Sequence, residues 1–119
     1  MSVQFGRWNF DGKPVDRDYL EKATASIAPY GPDDAGSYSK NNISILYHAL
    51  HTTKESRREA QPHVTSSGAV LTWDGRLDNR ADLIHQLRDF VTAASTDIEI
   101  VAAAYEFWNT DCFAMLIGD

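Results

Sequence analysis

Met1-Ser2-Val3-Gln4-Phe5-Gly6-Arg7-Trp8-Asn9-Phe10-Asp11-Gly12 opens the chain, and its reading decides the fold. A small residue follows Met1, and a strand-like run from Val3 to Phe10 then reaches Asp11-Gly12, a frequent tight-turn pair. Removal of Met1 would leave a hydroxyl and a free α-amine together on Ser2. Such a residue carries its own base, because an amine with an ordinary pKa of about 7.7–8.0 can take the proton from its own side chain. On this segment alone the better-supported reading is that Ser2 is the second residue of an ordinary buried strand.

Outward from this segment, Asp16 is placed to cap a helix with Tyr19, Leu20, Ala23 and Ile27 on one face. Tyr30-Gly31-Pro32 ends it, since a proline disfavours helical geometry at the residue before it. A polar stretch with Asp33, Asp34 and Gly36 leads to Asn41-Asn42, a hairpin turn. Ile43 to Leu50 then reads as a strand with Ile43, Ile45 and Tyr47 on one face. His51 to Ser67 is polar and irregular, which predicts a solvated loop; long loops inside small domains are often functional. Ala69 to Trp73 is a short strand running into the Asp74-Gly75 turn. Asn79 caps a short helix that turns Leu83, Ile84 and Leu87 inward. Thr96-Asp97-Ile98-Glu99 matches a capping box and opens a helix through Trp108 that is apolar on most sides, so mostly buried. Asp111 to Gly118 is a short apolar segment. Trp8, Trp73 and Trp108 fall within these strands and this helix, which predicts core packing for all three. Strands and helices alternate too irregularly for a doubly wound sheet, so the fold class is α+β with hairpins.

A chain of 119 residues bounds the organisation to one domain, residues 1–119. A hydrophobic fraction of 43% with 11% aromatics suits a globular core. Seventeen acidic against 11 basic residues give a net charge of -6, which argues against nucleic acid or an anionic membrane as a partner. Cys112 is the single cysteine, so no internal disulfide forms and a reducing compartment fits. With neither a leader nor an apolar run of membrane-spanning length, the chain reads as soluble and cytoplasmic. His48, His51 and His63 lack the ligand spacing of a closed metal site, so no metal is expected.

Taken in order, the landmarks resemble the N-terminal glutamine amidotransferase domain of the asparagine synthetase family. Met1-Ser2-Val3-Gln4-Phe5-Gly6 is similar to its Met-Cys-Gly-Ile-Phe-Gly start, and Tyr30-Gly31-Pro32-Asp33-Asp34-Ala35-Gly36 to its Arg-Gly-Pro-Asp-x-x-Gly element. Ala60-Gln61-Pro62 sits at its Gln-Pro pair, and Trp73-Asp74-Gly75-Arg76-Leu77-Asp78-Asn79 parallels its Asn-Gly-Glu-Ile-Tyr-Asn segment. Thr96-Asp97-Ile98-Glu99, Tyr105, Trp108 and Leu116-Ile117-Gly118-Asp119 follow in order. No single element is specific; their order and spacing over nearly the whole chain are. The resemblance implies a four-layer αββα sandwich of N-terminal nucleophile (Ntn) hydrolase type, with the nucleophile at the start of the first strand between two sheets. In the family further strands follow Gly118, and then an ATP-using synthetase domain. The chain therefore reads as about the first half of the amidotransferase domain, a partial sandwich whose uncovered edges favour a homo-oligomer.

The resemblance also assigns the site, and the assigned positions are altered. Ser2 stands at the nucleophile position, where the family has Cys. Asp74 replaces an Asn that donates to the oxyanion; a carboxylate accepts hydrogen bonds and cannot donate one, and losing one such donor costs roughly 100- to 1,000-fold in rate. The backbone N–H of Gly75 remains as a donor. Leu50 replaces an Arg that pairs with the glutamine α-carboxylate, and Arg76 replaces a Glu that helps hold the α-ammonium. Asp97, a family contact to that ammonium, is kept, although a carboxylate is favoured at a helix start in any case. These changes imply a degenerate glutaminase acting as a structural domain beside an ATP-dependent, amide-forming synthetase domain. ATP and Mg2+ are expected only in that synthetase domain, and no cofactor in residues 1–119. The alternative is an active Ser-nucleophile amidohydrolase or amidotransferase that takes ammonia from glutamine or a related amide.

Overall fold

Residues Val3–Trp8 form β1, an edge strand, and Ile43–Ala49 form β3, which β1 meets antiparallel with Val3 opposite His48 and Trp8 opposite Ile43. Between them in sequence lie helix α1 (Arg17–Ile27), a 3₁₀ turn (Ala28–Tyr30) and β2 (Asp34–Lys40). The sheet order is β1-β3-β2, antiparallel throughout. The β2–β3 hairpin closes on Asn41-Asn42, where Asn41 takes the left-handed conformation (φ 53°) that Asn tolerates well. Asn42 Nδ2 donates to Asn9 O at 2.6 Å, and Asn9 N–H to Asn42 O at 2.9 Å, tying the hairpin tip to the end of β1. The Asp16 cap is formed as the sequence predicts, its carboxylate accepting from Tyr19 N–H at 2.9 Å.

The computed structural model describes all of residues 1–119, as two compact units, Met1–Thr52 and Thr53–Asp119. In the second unit β4 (His63–Val64) pairs antiparallel with β5 (Val70–Leu71), and helices α2 (Arg80–Gln86) and α3 (Asp97–Trp108) follow. A 3₁₀ segment, Asn109–Ala114, comes next, and the chain returns so that Gly118 bridges Leu77. The fold class is α+β. The apolar core of this unit is one cluster in which Leu77, Leu83, Leu87, Val91, Ile100, Val101, Ala104 and Cys112 are buried. Each fully buried Leu or Ile contributes about 1.5–3 kcal/mol relative to exposure. No helix is long and apolar enough to cross a membrane.

Several local expectations are corrected. Trp8 does not enter a core: it is 60% exposed and stacks on Phe10 at 5.0 Å. It points away from the face of β1 where Phe5 and Arg7 meet Tyr19 of α1. On β3 the fully buried set is Ser44, Leu46, Tyr47, His48 and Ala49, whereas Ile43 and Ile45 are only half-buried, because α1 lies along the Leu46–His48 face. The polar stretch at Asp34 is already strand, since pairing with β3 outweighs its weak intrinsic propensity. Within the expected loop His51–Ser67, Gln61 and Thr65 are buried and β4 is formed. The strand expected at Ala69–Trp73 is paired only at Val70–Leu71. Asn79 stands at the start of α2 but does not cap it: its side chain donates to Met115 O at 2.8 Å and accepts from Ile117 N–H at 3.1 Å. Half of the capping box is fully made, Thr96 N–H to Glu99 Oε2 at 2.7 Å; the Thr96 hydroxyl takes up the box arrangement but, buried, lacks a full hydrogen bond.

Candidate functional site

Ser2 lies just ahead of β1, and its register opposite the end of β3 decides what surrounds it. Tyr47, buried on β3, donates its phenolic O–H to Ser2 Oγ at 3.0 Å, and the backbone N–H of Leu50 donates to the same oxygen at 3.2 Å. The structure thus brings together two of the positions singled out in the sequence, Ser2 and Leu50. The Leu50 side chain is 38% exposed and offers no charge to a carboxylate. Asp33 fixes the strand exit by accepting from His51 N–H at 2.7 Å. Gly31 packs so closely beneath His48 that a Cβ there would lie 2.1 Å from the His48 carbonyl oxygen, which explains why a glycine stands before Pro32.

In the second unit the Asp74–Arg76 segment is set by its neighbours. Buried Gln61 grips Trp73 twice, accepting from its backbone N–H at 2.6 Å and donating to its carbonyl at 3.0 Å. Trp73 Nε1 donates to Gly75 O at 3.1 Å, folding the indole over a glycine whose Cβ would sit 2.9 Å from that ring. Arg76 pairs through its backbone with Asp119 and through its guanidinium with Asp78, Nε to Oδ1 at 2.6 Å. The Arg76 hydrogen bond holds the Asp78 carboxyl below its usual range. Asp74 is exposed at the head of this segment.

Asp97 occupies the first turn of α3, as the capping pattern predicts, but its carboxylate is engaged. Arg80 Nη1 donates to Asp97 Oδ1 at 2.5 Å, both side chains are more than three-quarters buried, and Arg80 Nη2 also donates to the carbonyl of Ser95. Beside this pair Glu59 accepts from the backbone N–H groups of Asp97 and Ile98 and from Gln61 Nε2. Burial, with a smaller contribution from the nearby Asp97 charge, pushes the Glu59 carboxyl above its ordinary value despite those donors. Glu59 and Gln61 therefore link the Asp74 segment to the start of α3.

A family model describing a glutamine amidotransferase domain matches residues 1–119. The chain belongs to that family. Among curated proteins no significant match is found. In this amidotransferase domain the structure brings Tyr47 to Ser2, Arg80 to Asp97 and Glu59 to the start of α3, three partners that the sequence did not single out. One signal for Arg80 was present, since a cation in the first turn of a helix opposes the dipole and calls for a partner elsewhere. For Glu59 the signal was its place two residues before Gln61, in the segment carrying the Gln-Pro pair. Nothing in the sequence marked the Tyr47 hydroxyl.

Proposed function

We propose that this glutamine amidotransferase domain belongs to an asparagine synthetase-like, ATP-dependent amide-forming enzyme, lacks glutaminase activity of its own and serves it structurally. The observation that carries this reading is the Arg80–Asp97 ion pair. The carboxylate assigned to the substrate α-ammonium already holds a guanidinium that is anchored on Ser95 as well. Binding free glutamine there would require breaking a charge-assisted pair, roughly twice as strong as a neutral hydrogen bond. Asp74 in place of an amide donor, Leu50 in place of a cation and the Arg76–Asp78 pairing all weaken glutamine chemistry further. On this reading residues 1–119 contribute to one Ntn-type αββα sandwich in a cytoplasmic homo-oligomer, with ATP and Mg2+ confined to the synthetase domain.

A second reading, an active Ser-nucleophile amidohydrolase, draws on one feature. The two donors converging on Ser2 Oγ would stabilise negative charge on that oxygen. A single assay separates the two. Ammonia release from glutamine is measured on protein confirmed by mass to lack Met1. The structural reading expects no turnover above the buffer blank; turnover abolished by Ser2→Ala establishes the second.

A further inference from the structure

Glu99, Ala102, Ala103 and Glu106 recur at helical spacing on one stripe of α3, and all four line a groove of about 490 Å3 within the second unit. Its volume falls in the range of small-molecule sites. Phe90 and Phe107 flank it, 64% and 55% exposed, with ring centroids 6.0 Å apart, and His63, Thr65 and Ser66 form the facing wall. The two glutamates stand seven residues apart, about 10 Å along the helix axis at 1.5 Å per residue, and Glu99 keeps Oε1 as a further acceptor while its Oε2 accepts from Thr96 N–H. Between them the floor is only the methyl groups of two alanines.

The chemistry of the lining selects its ligand. An anion is repelled by both glutamates. A neutral hydrophobe would cover the carboxylates without compensating them, which is costly. A cation is favoured by the carboxylates and by the faces of exposed phenyl rings, and the net charge of -6 raises its local concentration. We propose that this groove binds a linear aliphatic diamine, one ammonium on Glu99, the other on Glu106, and the alkyl chain across Ala102 and Ala103. Glu106 is prepared for this: Ser66 donates to its Oε2 at 2.9 Å and Ser67 to its Oε1. These hydroxyl donors hold its carboxyl below the usual range, so it stays ionised, and a carboxylate has acceptor capacity left for an ammonium.

The test is calorimetric titration of the full chain with diaminooctane, whose two ammonium groups suit this spacing, against octylamine and diaminobutane. Diaminooctane is expected to bind at least about tenfold more tightly than either control, since each control loses one of the two ionic contacts or the span between them. Its heat should fall as salt is raised. Glu99→Gln keeps the capping-box acceptor, which Gln also supplies, and should weaken diaminooctane about five- to tenfold while lowering the melting midpoint only by the lost helix-dipole interaction. Glu106→Gln should weaken it by a similar factor, and Ala102 and Ala103 should show the largest NMR shift changes. Octylamine binding as well as diaminooctane, indifference of binding to both glutamate variants, or no heat at millimolar diamine would each overturn the proposal.

Discussion

The two units solve the same problem by different means. Met1–Thr52 is held by backbone ladders: β3 pairs along its length with β1 on one side and β2 on the other, while α1 has no fully buried residue. Thr53–Asp119 has only a two-residue ladder but owns the whole apolar cluster, with Leu83, Leu87, Ile100 and Cys112 fully buried. Burial is non-directional and tolerates irregular backbone, whereas a ladder demands regular register. This explains why the loops that carry Asp74 and Gln61 sit in the unit with the apolar core, and why the strand that positions Ser2 sits in the other.

The sharpest way to break this contrast is truncation on either side. Leu83→Ala in the second unit should cost about 3–5 kcal/mol in denaturant unfolding, because a fully buried Leu leaves a cavity. Leu20→Ala on α1, only half-buried, should cost less than about 1.5 kcal/mol by the same measurement. Equal losses would mean that the first unit relies on packing after all.

In the ladder-built unit the sensitive point is expected to be backbone approach. Gly31→Ala would drive a Cβ against the His48 carbonyl and should destabilise by about 1–3 kcal/mol or more, with a shifted amide resonance for His48. A wild-type melting curve for this variant would show that the approach relaxes freely.

Arg80→Ala should cost about 1–2 kcal/mol, since it strips a charged hydrogen bond from a mostly buried Asp97. If the ion pair closes the clamp as proposed, the variant gains measurable amino-acid binding even though it melts earlier. Tyr47→Phe should cost about 0.5–1.5 kcal/mol through the lost hydrogen bond to Ser2.

The smallest effect concerns pH. The folded-state pKa of Glu59 is raised, so the folded chain binds more protons than the unfolded one in the window just above 4.5, and stability falls as pH rises through it. Glu59→Gln removes this dependence. Its stability should exceed that of the wild type by tenths of a kcal/mol near neutrality, and the difference should shrink on acidification through that window. A difference that grows on acidification would reverse the sign and show that the Asp97 and Ile98 amides outweigh burial.

The legibility of the chain follows local pattern in both units. Strand β1, the Asn41-Asn42 hairpin, β3, α1 with its Asp16 cap and α3 were all readable, because each rests on a local pattern: alternation, turn chemistry or a cap followed by an apolar period. The irregular segments were not. Gln61 is buried because it replaces ladder bonds at Trp73, and Asn79 abandons its cap to hold Met115 and Ile117; both choices depend on partners 12 to 38 residues away.

At the proposed site, the sequence by itself determined which residue types stand where the family resemblance puts a nucleophile, an oxyanion donor and a clamp, and through their order it determined the amidotransferase family. Those facts need only a linear text. Tertiary structure alone decided what engages them: Tyr47 and Leu50 on Ser2 through the β1–β3 register, Arg80 on Asp97 through the packing of α2 near the start of α3, and Glu59 between Gln61 and the α3 amides. The reason is physical. A hydrogen bond or ion pair depends on distances of about 3 Å between groups whose sequence separation carries no information until the chain has folded.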